Sequence, residues 1–488
     1  MPVRAQPARR TAASFALRAA LVSVVALCVG TASGQAQRLA GVELGFAGTL
    51  VANAWNPLRL TLRDVGPAVL EVVIDQGSLR DGTIPLVYRA TVAGGSGLSV
   101  FDDELFVPIW RSLTWTVRSG ATTLASGSVP RGDADRRAVD VVVTEAPGPW
   151  RARLGDQARV VDVPAERLVA RSAAYDGVRA LIVAGDGDPP RTAALVAAAA
   201  AGAIVVLSDV SAALPALAAL APPADEPWRR VGAGWIVLER ALEPGVAVLE
   251  AARTDHAATV SAFAAVDRLV PPRSESSITL LFGASIYALA VLIVLRFGGL
   301  PGIVAAAAIV IAGSFVAWAA LRPSSPTLQT TRDVVIGGNG IGQRWRVHDL
   351  VSLPASEVRL DAAVRPIGLT PLTTGPDGTS VPLARWRGQQ LVERPRVADV
   401  WLRWEGRDLV NDGPRPLTEV RVRGGDVYDA IAPGGTGAIV SNDASPPSAA
   451  ARALFDVIPA GTAIAFDGAT WFVALASEPR EARAGGLD

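Results

Sequence analysis

A chain of 488 residues exceeds what one hydrophobic core supports and predicts about three domains. Half of it is hydrophobic, and 46 basic residues balance 46 acidic ones, which leaves no basic excess for a nucleic-acid partner. All the basic residues are arginine, so Schiff-base and phosphate-loop lysine chemistry is excluded. A single cysteine, Cys28, and two histidines, His256 and His348, exclude an internal disulfide and a multi-histidine metal centre.

In chain order, Arg4, Arg9 and Arg10 precede the apolar run AALVSVVALCVGTA, and small residues follow at Ala32, Gly34 and Ala36. This is the layout of a cleaved secretory signal over residues 1–36. Over 37–132, NPLRLTLRD, AVLEVVID, PLVYRATV and SLTWTVRSG alternate with period two between Gly, Pro and Asp turns, which predicts a β-sandwich. Its Trp55, Trp110 and Trp115 are expected in the core, the alternative being platforms for stacking sugars.

The rhythm changes over 138–255. VDVVVT, ARVVDV, VRALIVAG, AIVVLS and GWIVLER are continuous apolar runs separated by helical or loop text, which predicts an α/β domain with an open, mostly parallel sheet. A linker over 256–276 leads to two uncharged runs, Ser277–Leu295 and Ile303–Leu321, each near the roughly 20 residues a membrane-crossing helix requires. With Arg296, Gly298, Gly299 and Pro301 between them, 277–322 reads as a transmembrane hairpin. An exported leader would then place the chain in the cytoplasmic membrane with both soluble parts extracytoplasmic.

Short strands return over 330–478, around the turn NDGPRP, and predict a carboxy-terminal all-β domain. Residues 479–488 read as a disordered tail. GGNGIG, Gly337 to Gly342, lies between strand-like runs, so it reads as a β-turn, not a dinucleotide loop.

Chemistry would sit at the carboxyl ends of the parallel strands. These ends read Thr144-Glu145, Gly185-Asp186-Gly187-Asp188, Ser208-Asp209 and Glu239-Arg240. Asp186, Asp188 and Asp209 are candidate oxygen ligands for a hard cation such as magnesium. The competing account is structural. Asp188 caps a helix that starts at Pro189, Leu195 and Val196 face the sheet, and Gly202 closes the helix in the left-handed conformation. A phosphatase lacks its lysine here, an amidotransferase its cysteine, and a serine hydrolase its Gly-x-Ser-x-Gly. No catalytic or cofactor-binding residue is assigned, and no cofactor is expected.

Four stretches carry a family resemblance: WNPLRLTLRD, YDGVRALIVAGDGDPPRTAALVAAAAAGAIVVLSD, RRVGAGWIVLER and LVNDGPRPLTEVRVRGGDVYDAIAPGGTGAI. The chain resembles bacterial envelope proteins with an amino-terminal β-sandwich, a cysteine-less class I glutamine-amidotransferase-like domain, transmembrane helices and further β structure. It departs from them at AAAAAG, where relatives tend to carry a tryptophan and paired glycines. The resemblance implies a non-catalytic, membrane-anchored scaffold or binding protein with protein partners in an envelope or transporter-associated complex. The alternatives are a metal-dependent envelope hydrolase using the acidic strand ends and a carbohydrate-binding module.

Overall fold

Alternation in the amino-terminal third becomes strands because it gathers apolar side chains on one face. In Ala54–Val65 the side chains of Leu58, Leu60 and Leu62 are buried, and in Ala68–Gly77 those of Leu70, Val72 and Ile74 are buried. The computed structural model describes most of residues 38–129, 139–239 and 327–476, with scattered positions between 256 and 304. The leader, the tail and most of 277–322 lie outside the described residues.

Arg38–Leu44, Ala54–Val65 and Gly95–Val107 form a three-stranded antiparallel sheet. A seven-stranded sheet shares its core. Four of those seven strands are Ala68–Gly77, Thr83–Val92, Leu113–Ser119 and Thr122–Val129. The other three, Ser356–Leu360, Leu372–Gly375 and Gly378–Leu383, come from far along the chain. Leu372–Gly375 docks parallel to Thr83–Val92, with Thr374 opposite Tyr88. The Tyr88 hydroxyl crosses between the two sheets. It donates to the Phe106 carbonyl at 3.1 Å and accepts from the Phe106 N–H at 2.8 Å.

A six-stranded sheet spans 139–238. Arg159–Asp162, Val139–Val143, Val178–Val183, Ile204–Leu207 and Gly234–Leu238 pair in parallel, and Trp228–Val231 adds an antiparallel edge. One face packs on the helix Thr192–Ala200 and on Phe46, Val51 and Ala54 from the sandwich. The other face packs on Trp150 and Leu154.

The helix starts at Thr192 after Arg191, which makes no side-chain cap, so it does not start at Pro189 as expected from an Asp188 cap. Asp188 and Pro189 lie outside the described residues. The helix ends in a Schellman motif. Gly202 sits at φ 96°, its N–H bonds the Ala199 carbonyl, and the Ala203 N–H bonds that of Ala198.

The largest sheet has ten strands and is organised on the hairpin Thr327–Gly338 and Ile341–Ser352. Asn339 and Gly340, at φ 52° and 78°, make its two-residue turn. Thr470–Ala474 joins this hairpin in parallel. Arg230 ties the six-stranded sheet to it. Its guanidinium lies 4.0 Å above the Trp235 ring, and its carbonyl accepts the Asn339 side-chain N–H at 2.8 Å.

The expected fold class is therefore corrected. Among the described residues the chain is mostly β, in five sheets, and not a β-sandwich, α/β open parallel sheet, transmembrane hairpin and all-β series. The mostly parallel sheet is one of the five described, and one uninterrupted α-helix of 9 residues is described against it. Sandwich residues cover part of the face where an amidotransferase-like α/β domain would place further helices.

The transmembrane hairpin, and the cytoplasmic-membrane location built on it, are not supported. Among the described residues no helix is long and apolar enough to cross a membrane. The uninterrupted α-helix described, Thr192–Ala200, rises only about 14 Å, against a hydrocarbon core of about 30 Å.

Candidate functional site

Asp102, Asp103 and Glu104 are consecutive acids inside the strand Gly95–Val107. Acidic residues are depleted in strands, so the run is a local cost that other contacts must offset. Arginines provide those contacts. Arg59, directly across the ladder, forks onto Asp102 with bonds of 2.7 and 3.0 Å. That hydrogen bond holds the Arg59 guanidinium above its ordinary range.

Arg394 brings one Nη group between the other two acids, 2.7 Å from Asp103 Oδ1 and 2.8 Å from Glu104 Oε2. Arg171 approaches the same pair, 3.0 Å from Asp103 Oδ1 and 3.3 Å from Glu104 Oε2. The Glu104 side chain is only 1% exposed. Burial pushes its carboxyl above the ordinary range, against the pull of Arg394 and Arg171.

Local structure aims each arginine. Arg171 sits in extended backbone just before the 3-10 turn Ser172–Tyr175, whose side chains are buried. The Tyr175 hydroxyl donates to the Val169 carbonyl at 2.9 Å, and Asp176 accepts the Trp55 backbone N–H at 3.1 Å, which pins the turn beneath the sandwich. Arg394 is held by its own N–H, which donates to the Ala363 carbonyl at 2.7 Å.

Above this cluster lies a cleft of about 310 Å³. Leu58, Val72, Tyr88 and Phe101 supply an apolar floor, and Arg89, Arg171, Arg394 and Arg396 contribute to its walls. Three distant stretches of chain therefore build one concavity: the sandwich, the turn at Arg171, and the segment from Asp361 to Arg396. An apolar hollow with a few convergent polar groups has the anatomy of a small-molecule site.

The sequence pointed elsewhere. Asp186, Asp188, Asp209 and Trp110 lie outside the described residues. Glu239, at the end of its strand, is half-buried. Trp55 is 1% exposed and packs edge-on against Phe106, with ring centroids 5.9 Å apart. Trp115 is half-buried over Gly127, where a Cβ would fall 2.5 Å from the indole.

The two histidines serve different sheets. His256 Nδ1 donates to the Gly202 carbonyl at 2.7 Å. His348 accepts at Nδ1 from the Gln329 amide at 3.2 Å and donates from Nε2 to Glu393 at 2.8 Å. Among the described residues no group of three or more His, Cys, Asp or Glu side chains is placed to hold a metal ion.

The cleft was missed because its parts are distant in sequence. The one local signal was Asp-Asp-Glu interrupting an otherwise alternating strand. No protein-family model and no curated protein matches the chain. With a mostly-β fold as well, the resemblance to envelope proteins carrying an amidotransferase-like domain does not hold.

Proposed function

We propose that the chain is a binding protein whose ligand site is the cleft between Asp103–Glu104 and Arg394. The observation that carries this reading is the cleft itself, about 310 Å³ over an apolar floor, assembled from three separate stretches of chain. Ion pairs made on the buried Glu104 hold its walls before any ligand arrives, and such preorganisation lowers the cost of binding. A screen of small fragments by ligand-observed NMR on the full chain tests the reading. Fragments should bind the native chain and lose binding in Ala362→Trp, which fills the cleft. Hits that bind both equally, or no hits at all, would contradict it.

A protein partner is the second reading, favoured by one edge strand. Ile439–Ser441 ends the ten-stranded sheet, and its Ile439 and Val440 are 56% and 65% exposed. An exposed apolar edge is a template for an added strand. Val440→Lys should abolish concentration-dependent association of the full chain in sedimentation, and an unchanged sedimentation profile would count against this reading.

A further inference from the structure

Arg394 and Arg171 each engage the buried acids through a single Nη group, although a guanidinium offers several more donors. Among the described residues no protein acceptor takes the Nε or Nη2 of either. Arg396 also lines the cleft, is exposed, and forms no ion pair within 4.0 Å among the described residues.

The charged groups of the cleft can be paired off. Asp102 is matched by Arg59, and Arg89 is matched by Glu71 at 2.9 Å, in both cases by a partner that does not line the cleft. Arg171, Arg394 and Arg396 then face Asp103, Glu104 and Asp361. The Glu104 carboxyl is buried beneath Arg394, so solvent and ligand meet the open edges of the arginines before they meet that acid. These charges balance, three against three, so the preference for a carboxylate rests on the open guanidinium donors and not on a net charge.

We propose that the cleft binds a small organic monoanion, a carboxylate carrying an apolar or aromatic body. The carboxylate takes the open donors of Arg171, Arg394 and Arg396, where planar guanidinium and planar carboxylate match in two-pronged hydrogen bonds. The body lies on Leu58, Val72, Tyr88 and Phe101. This ligand class rests on the binding-protein reading above, and the test separates the two.

Benzoate, benzamide, benzylamine and inorganic phosphate are titrated separately into the full chain by isothermal calorimetry. Benzoate should bind at least tenfold more tightly than the other three. Arg396→Gln should weaken benzoate about tenfold while leaving benzamide unchanged, with the thermal midpoint preserved because Arg396 is exposed. Ala362→Trp should abolish benzoate binding. Benzamide or benzylamine binding as tightly as benzoate, with loss in Ala362→Trp, would overturn the monoanion assignment and leave a binding cleft. Phosphate binding more tightly than benzoate would overturn it in favour of a bare oxyanion. Absence of binding by every probe at millimolar concentration would overturn both readings.

Discussion

Glu104 and Arg394, 290 residues apart in sequence, meet in a hydrogen bond of 2.8 Å beneath the floor of a cleft. The contact joins an edge strand of the amino-terminal sandwich to the residue that follows Gly388–Glu393, a strand of the ten-stranded sheet. A buried carboxylate in this position is tolerable only while its arginine is present.

Removing that arginine should be expensive. Arg394 is 25% exposed and Glu104 1%, so Arg394→Ala leaves an uncompensated buried acid and should cost about 3 kcal/mol in urea unfolding. Arg171, 52% exposed, serves the same acids from the solvent side, and Arg171→Ala should cost less than about 1 kcal/mol. Glu104→Gln combined with Arg394→Ala should cost less than the two single changes added together. Equal losses for the two arginines would show that burial does not set the strength of this cluster.

Tyr88→Phe removes one oxygen and leaves both the N–H and the carbonyl of Phe106 without their partner between the sheets. A loss of about 1–3 kcal/mol is expected by denaturant titration, since the cost of an unmade buried hydrogen bond exceeds the gain from a made one. A change smaller than a few tenths of a kcal/mol would mean that water replaces the hydroxyl.

Gly202 and Gly340 separate two costs of a side chain at positive φ. At Gly340, φ 78°, a Cβ would meet nothing, so Gly340→Ala should cost only the left-handed backbone term of about 1–2 kcal/mol. At Gly202, φ 96°, a Cβ would sit 3.3 Å from the Phe263 ring, so Gly202→Ala should cost more than Gly340→Ala. Thermal melts of both variants read the order directly, and the reverse order would contradict it.

Acid should loosen the ten-stranded sheet at Asp333 and Glu393. Burial pushes the Asp333 carboxyl up, but hydrogen bonds from Arg346 and Arg344 outweigh it and hold the group below its ordinary 3.8. Burial likewise opposes, and bonds from His348 and Arg346 outweigh, at Glu393, which lies below its ordinary 4.5. Both contribute stability above those unfolded values that is lost as pH falls through the lower folded ones. Glu104, shifted upward by burial, acts oppositely: stability is gained as pH falls from its folded value toward 4.5. Asp333→Asn should therefore flatten the acid limb of the stability curve, and Glu104→Gln should steepen the loss just above it.

Strand positions were readable where alternation was strong, as in Leu58, Leu60 and Leu62, because burial on one face leaves a period of two in the text. The Asn339-Gly340 turn was readable for an equally local reason. Nothing local reports that Leu372–Gly375 will lie beside Thr83–Val92, since parallel partners carry no turn between them. The apolar runs of 139–238 suggested a parallel sheet with helical or loop text between its strands, and no local signal shows that Phe46, Val51 and Ala54 of the sandwich cover part of one face. The site escaped for the same reason. Glu104, Arg171 and Arg394 are ordinary charged residues until the sheets bring them together.

In the proposed complex a ligand occupies the cleft that Leu58 and Val72 line. Methyl-labelled full chain titrated with benzoate tests this most directly, because Leu58 and Val72 line the cleft while Leu98 and Val100, exposed on the outer strand, do not. Saturable shifts at Leu58 and Val72, none at Leu98 and Val100, and no shifts in Ala362→Trp are predicted. Shifts at the outer pair alone, or shifts at Leu58 and Val72 that persist in Ala362→Trp, would contradict the account.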